Sequence, residues 1–275
     1  MFDPKTTKYP YPDDTDGHYI ILKKNNGLKF DKDYPYINKS RWFRFKAWCF
    51  KIFLVLIVLP VVRIRLGFKV VGKENLKKHK DVINKGIISC CNHVHYWEYL
   101  GMLSVINSHN PKFLVWAPNI RGSLGGLMRL VGGIPIPEDD LSASIACSKA
   151  VGEYLEDGGW LHVFAEGSMW EYYKPIRPFK KGMSVYACKH NVPVLPFAYR
   201  YRKPGFIRRK LFRQIALFTL HIGEPIYKDE TLSKKEQIED LTKRSHEAVC
   251  RLAGIEPKDN IYPPIYNNSK KVKYY

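Results

Sequence analysis

Residues 88–103 read ISCCNHVHYWEYLGML and place two histidines and a glutamate between two apolar runs. Residues 86–91 are typical of a buried strand, and residues 96–107 carry apolar side chains at helical spacing. The polar residues are therefore predicted to lie at a strand-to-helix junction, where side chains on a rigid scaffold can meet a substrate.

The spacing of these residues limits which histidine can pair with Glu98. At about 100° per residue, His95 and Glu98 would share one face of a helix, whereas His93 and Glu98 would point about 140° apart. A pair between His93 and Glu98 therefore requires His93 to lie in the loop before the helix. The alternative is that all three residues only cap the helix or satisfy buried backbone groups.

The rest of the chain alternates strand-like and helix-like segments. Strands are predicted over residues 112–116, 133–136, 160–166, 192–200 and 215–223. Helices are predicted over residues 142–155, 180–189 and 234–252. This alternation predicts an α/β fold, with a mixed, largely parallel sheet flanked by helices. A length of 275 residues is sufficient for one substantial core.

The charge of the chain indicates an anionic partner. Lysine and arginine number 45 against 26 aspartates and glutamates, a formal net charge of +19. Anionic membrane lipids, an acidic carrier protein and nucleic acid all fit that charge. We predict no nucleic-acid partner, because the sequence contains no recognisable reader motif and its basic residues flank an apolar segment. The six cysteines lack C-x-x-C spacing and are interpreted as buried, reduced thiols of a cytosolic protein.

The most apolar segment is RWFRFKAWCFKIFLVLIVLPVVRIRLGFK, residues 41–69. Its uninterrupted core, residues 52–62, is shorter than the roughly 20 residues that span a bilayer. The aromatic and basic residues before this core suit the headgroup region. We predict a membrane-contacting helix that lies on the cytoplasmic face or spans the bilayer once. A buried helix kinked at Pro60 is the alternative.

This segment divides the chain into four predicted parts. Residues 1–40 form a polar surface arm, 41–69 the membrane-associated helix, 70–254 the catalytic domain, and 255–275 a loose basic tail.

Four short blocks of sequence follow one another within residues 70–200. They are NHVHYWE at 92–98, GGIPIPEDD at 132–140, FAEGSMW at 164–170 and VPVLP at 192–196. In order and spacing they resemble the glycerolipid acyltransferase family, whose best-known members are 1-acyl-sn-glycerol-3-phosphate acyltransferases.

The chain also departs from the family pattern. The acid of the first block is Glu98 where the family has aspartate. The usual arginine of the second block is replaced by Glu138 or Asp139, and the arginine of the third block by Met169.

The resemblance selects His93 as the catalytic base. Acyl transfer from a thioester to a hydroxyl needs the hydroxyl proton removed, and a neutral imidazole with a pKa near ~6.5 suits that task. Glu98 would orient the imidazole and stabilise its charged form, as the acid of a catalytic triad does. The resemblance also implies substrate-binding roles within the blocks for Asn92, Glu166, Gly167 and Ser168. Arg177 and Lys180 belong to a basic set that directly follows the third block, and the alternative for this set is a solvated charge run. Arg177 and Lys180 are the candidates for the phosphate contact that the missing arginines would have made.

The expected activity is transfer of a fatty acyl group to a free hydroxyl of a lysophospholipid-like acceptor, in phospholipid biosynthesis. Acyl-CoA or acyl-carrier protein is the co-substrate, and no cofactor or metal is predicted. One alternative is an acyltransferase that acts on a lipid without phosphate. An alternative of another class is a metal-dependent hydrolase that uses His93, His95 and Glu98 as ligands.

Overall fold

The structure, a computed structural model, describes residues 17–18, 26–138 and 140–260. In this part of the chain the strands are β1 Lys69–Val71, β2 Ile87–Cys90, β3 Lys112–Trp116, β4 Gly133–Ile136, β5 Trp160–Val163, β6 Val194–Arg202 and β7 Leu217–Ile222. They form one sheet in the order β1-β7-β6-β2-β5-β3-β4. β6 and β7 are antiparallel, and the other neighbouring strands are parallel. The prediction of a mixed, largely parallel sheet is confirmed.

Helices cover both faces of the sheet. They are α1 Arg41–Phe53, α2 Leu59–Leu66, α3 Lys73–Lys78, α4 Lys80–Ile83, α5 Glu98–Ile106, α6 Ala117–Arg121, α7 Gly125–Leu130, α8 Leu141–Glu156, α9 Gly182–His190, α10 Phe206–Lys210 and α11 Lys234–Ala253. α2 packs on α5, whereas α9 packs on α8 and α11. These groups lie on opposite faces, because right-handed crossovers that run in opposite directions along a sheet place their helices on opposite sides.

The five strands and three long helices expected from the pattern are present, with shifts at their ends. The largest difference is at the fifth strand, which ends at Val163 although the apolar run continues to Ala165. The backbone turns there, and Gly167 adopts a φ of +83° that few other residues tolerate.

α1 and α2 are joined through one wide helical turn, Leu54–Val58, into a helix of 26 residues. The N–H of Leu59 bonds the carbonyl of Leu54, five residues back, so the irregularity predicted at Pro60 falls just before the proline. The helix buries one side against the domain and exposes the rest. Of its 18 most apolar consecutive residues, 17% are buried. It is apolar enough, and at about 39 Å long enough, to contact or cross a membrane. The alternative interpretation, a buried core helix, is therefore wrong for this segment.

Residues 26–40 of the N-terminal arm are mostly exposed. Phe30 and Tyr36 are buried in the hydrophobic core, and Arg129 Nη1 donates to the carbonyl of Tyr36 at 2.7 Å. These contacts anchor the arm to the domain. The cysteine expectation is wrong for Cys49, which is exposed on α1. Most of the predicted basic tail, residues 261–275, lies outside the described residues.

The register of the sheet brings the first and third blocks together. Cys90 at the end of β2 pairs with Val163 at the end of β5, and the two strands are parallel. The loops that follow them therefore leave the same edge of the sheet. This edge carries His93 and the Glu166-Gly167 pair.

We predict that Gly86→Ala lowers the free energy of unfolding by about 2–4 kcal/mol. Gly86 has a φ of +107°, and a Cβ there would lie 2.3 Å from the carbonyl oxygen of Leu155. Gly182→Ala is the matched control, because a Cβ at that helical position meets nothing within 4 Å. Urea unfolding measures both, and equal midpoints for the two variants would contradict the prediction.

Candidate active site

His93 lies in the loop after β2, and Glu98 is the first residue of α5. The loop position allows the pairing that helical geometry would have forbidden, and His93 Nδ1 contacts Glu98 Oε1 directly. The other carboxylate oxygen accepts from the backbone N–H groups of Val94 at 2.6 Å and His95 at 3.0 Å. Glu98 therefore orients the imidazole and holds the loop that carries it. This leaves Nε2 of His93 for a substrate.

The imidazole of His93 also rests on an aromatic ring. It stacks on Phe164 with ring centroids 4.0 Å apart, and its side chain is 22% exposed. The exposed part faces a cavity of about 610 Å³. A stacked, carboxylate-bound imidazole with one nitrogen open to a cavity has the arrangement of a general base.

His95 is held differently. Its Nδ1 accepts from the backbone N–H of Trp97 at 3.1 Å, so this ring nitrogen orders the loop. Burial, with the charge of Arg65, lowers the pKa of His95 to about 4. Both oxygens of Glu98 are already occupied by N–H donors and the imidazole of His93. Among the described residues no group of three His, Cys, Asp or Glu side chains is placed to hold a metal, so the geometry does not favour the metal-site interpretation.

Glu166 and Arg177 form a buried ion pair beneath the loop of His93. Glu166 Oε1 accepts from the backbone N–H of His93 at 2.8 Å. Its Oε2 accepts from Arg177, through Nε at 2.9 Å and the backbone N–H at 3.2 Å. Burial raises the pKa of Glu166, and the guanidinium of Arg177 opposes that rise. The ion pair therefore fixes the backbone at His93.

Arg177 was predicted to contact an acceptor phosphate, but its side chain is buried. Its side chain is 0% exposed, and the guanidinium donates to the carbonyl and, at 2.8 Å, to the Oγ of Ser168. It also stacks over the ring of Trp170 at 4.4 Å. A guanidinium enclosed in this way has a positioning role and does not reach an acceptor phosphate.

Asn92 and Glu166 are likewise placed as positioning residues rather than substrate ligands. The amide of Asn92 donates to the carbonyl of Tyr199 at 3.0 Å and accepts from its N–H at 2.7 Å. Asn92 therefore ties the loop to β6, and its side chain is buried. The carboxylate of Glu166 is used by His93 and Arg177, as described above.

Gly167, Ser168 and Lys180 remain near the cavity. Gly167 and Ser168 line it, and Gly167 is exposed. The side chain of Lys180 lies beside Gly167, where a Cβ would meet Lys180 Cε at 3.4 Å. Lys180 is exposed and so is the predicted cation best placed to meet an anionic group.

The apolar helix formed by α1 and α2 supplies one wall of the cavity. Phe50, Phe53, Leu54 and Val58 line it from that side, and apolar residues of α5, β3 and α7 line it from the domain. Glu138 also lines it, and Arg121 Nη1 neutralises this carboxylate at 2.8 Å. Asp139, the other acid at that point, lies outside the described residues. The cavity is therefore apolar along the helix and polar at His93.

Sequence reasoning missed two residues of the N-terminal arm. The carbonyl of Gly17 accepts from Ser168 Oγ and Trp170 Nε1, both at 2.9 Å. The ring of His18 stacks on Trp116 at 3.8 Å and lines the cavity. No local pattern marks either residue, because the contacts join positions about 100 to 150 residues apart in the chain.

The comparisons with known proteins agree with this geometry. The family described as "Acyltransferase" matches residues 67–200, a range that contains all four sequence blocks. Residues 67–200 therefore carry the sequence pattern of an acyltransferase-family domain. The family resemblance stated above is thereby confirmed.

One solved structure similar to this chain is the 1-acyl-sn-glycerophosphate (LPA) acyltransferase PlsC from Thermotoga maritima. The two chains are 19% identical, with a TM-score of 0.47, and the similarity covers 78% of this chain and 84% of that chain. No curated protein sequence is significantly similar to this chain.

We predict that His93→Ala lowers acyl transfer by about 10²–10⁴-fold, because a general base contributes that factor. His95→Ala should retain the larger part of the rate, since its ring orders the loop without pairing to Glu98. Initial rates measured with both variants test this, with circular dichroism to confirm folding. Equal losses in two folded variants would contradict the assignment of the base and favour a shared metal site.

We predict that Arg177→Ala lowers the free energy of unfolding by about 3–5 kcal/mol, because it leaves the buried carboxylate of Glu166 without the guanidinium that balances its charge. Arg177→Lys should restore part of this, since lysine returns the charge but not the planar fork. Lys181→Ala is the control, because it breaks an exposed pair with Glu239 that is worth about 0–1 kcal/mol. Urea unfolding gives the values. Unchanged stability with a raised KM only for phosphate-bearing acceptors would return Arg177 to substrate binding.

Proposed function

We propose that this acyltransferase moves a fatty acyl group from a thioester donor to a free hydroxyl of a lysophospholipid-like acceptor. The observation that carries the proposal is the His93–Glu98 pair beside an apolar cavity walled by the exposed helix α1. An acyl chain needs apolar surroundings, and the hydroxyl needs a base. The site supplies both within one cavity.

In the proposed reaction Nε2 of His93 accepts the hydroxyl proton as the acceptor oxygen attacks the thioester carbonyl. Glu98 stabilises the imidazolium that forms. Collapse of the tetrahedral intermediate breaks the carbon–sulfur bond, and the thiolate leaves with the proton that His93 returns. The products are the ester and the free thiol of coenzyme A or acyl-carrier protein.

Lys180 is the proposed partner of an acceptor phosphate. It is exposed, and it lies beside the backbone of Gly167 at the polar end of the cavity. Burial lowers the pKa of His18; the charge of Arg177 lowers it further, that of Glu138 raises it, and that of Lys180 lowers it. The ammonium group of Lys180 would stabilise an anionic headgroup placed beside it.

We further propose that the helix of α1 and α2 attaches the enzyme to the cytoplasmic face of a membrane. Leu54, Leu59, Val62 and Leu66 pack on the domain, while side chains on the other side of the helix are exposed. A helix held along this length by a polar domain is suited to lie in the interface plane. The cavity would then be next to the lipid from which an acceptor comes.

The acceptor is tested by incubating the enzyme in lipid vesicles with a labelled acyl-CoA or acyl-carrier protein and a panel of lysolipids with and without phosphate. We predict that Lys180→Ala raises KM for phosphate-bearing acceptors by about 10- to 100-fold, the value of one charge-assisted contact. Phosphate-free acceptors should be unaffected. Lys181→Ala, next in the chain and paired with Glu239, is the matched control.

Other outcomes of the assay separate the alternatives. Transfer to phosphate-free acceptors alone would favour the second acceptor class and contradict the role of Lys180. Hydrolysis without acyl transfer that is lost with a chelator would favour the metal-dependent hydrolase.

A further inference from the structure

The loop between β6 and β7 exposes four large apolar side chains. Residues Phe206, Ile207, Leu211 and Phe212 are between 56% and 72% exposed. They lie within seven consecutive residues, on and just after the short helix α10. Exposed apolar side chains grouped in this way mark a surface that is covered by something else in the working protein.

Positive charge surrounds these side chains. The sequence RYRKPGFIRRKLFR, residues 200–213, holds seven basic residues and no acidic residue. Arg209, Lys210 and Arg213 are exposed. The covering partner is therefore anionic as well as apolar at its surface, which is the character of an anionic lipid bilayer.

The loop is attached to the end of the membrane-contacting helix. Arg208 Nη1 donates to the carbonyl of Ile64 at 2.8 Å, and Gln214 Nε2 donates to the carbonyl of Arg65. On α2 itself the side chains of Val61 and Ile64 are 55% and 71% exposed. The loop and the helix therefore form one continuous structure with exposed apolar residues on both parts.

We propose that the loop of residues 203–213 is a second membrane contact, which inserts its apolar side chains into the interface of an anionic bilayer. The inference rests on the proposed attachment of α1 and α2 to a membrane, but not on the acyl-transfer reaction. One helix alone leaves the domain free to rotate about the helix axis. A second contact to one side of that axis fixes which way the domain faces.

An acidic carrier protein is the other partner that the charge allows. The four exposed apolar residues favour the bilayer, because they adjoin the exposed residues of α2 and lie beside flexible basic side chains that can reach lipid phosphates.

The test measures the depth of single labelled positions in the full-length protein. In a Cys49→Ser background, an environment-sensitive fluorophore is attached at Ile207→Cys on the loop. Ile57→Cys on the helix reports its attachment, and Val185→Cys on α9, across the sheet, is the aqueous control. All three positions are at least 43% exposed, so the labels displace no core packing. The vesicles contain phosphatidylcholine with phosphatidylglycerol, and quenchers are nitroxide-labelled lipid and aqueous iodide.

The label at 207 should be quenched by the nitroxide lipid from a depth of about 5–10 Å, and it should be shielded from iodide. The label at 185 should show the reverse. A label at 207 that behaves like that at 185 while 57 is inserted would overturn the second contact and leave the helix attachment standing. If 57 is also aqueous, both fail, whatever the activity assay gives. Shielding of 207 only after acyl-carrier protein is added would make this surface a protein site and overturn the inference.

Discussion

The active site depends on one buried ion pair, that of Glu166 with Arg177. Both side chains are almost completely removed from water, and their pairing offsets part of the desolvation cost of each charge. The carboxylate of Glu166 also holds the backbone N–H of His93. The position of the base is thus tied to an electrostatic requirement of the core, and a site held by such a requirement keeps its geometry while substrates exchange.

Two carboxylates hold different parts of His93. Glu166 fixes the backbone at His93, whereas Glu98 fixes its ring and the loop that follows. Neither carboxylate is left for a substrate, and the open nitrogen of His93 faces an apolar cavity. The same cavity is lined on one side by residues of α1, so the apolar helix that is able to contact a membrane is also part of the site.

Much of the fold and the catalytic pair could be predicted because their signals are local. Strands such as β3 and helices such as α11 follow from a period of apolar residues within the segment itself. The partnership of His93 with Glu98 follows from five residues of spacing and the need for a loop. The roles of Asn92, Glu166 and Arg177 could not be predicted, since each depends on contacts with distant segments: β6, the His93 loop and Ser168. Their polar side chains indicated substrate binding. In the structure these side chains are buried and hold the backbone around His93 and Ser168 in place.

The sequence by itself determined the α/β class, the apolar helix and the pairing of Glu98 with a loop histidine, because periodicity, composition and short spacing act within a segment. Only the tertiary structure decided which charged residues are buried and which are exposed. Arg177 and Lys180 stand three residues apart in the chain, yet one is enclosed by Glu166, Ser168 and Trp170 while the other is exposed beside Gly167. The physical reason is that solvent exposure is set by how several strands and loops pack together, and that packing brings in residues as distant as Gly17.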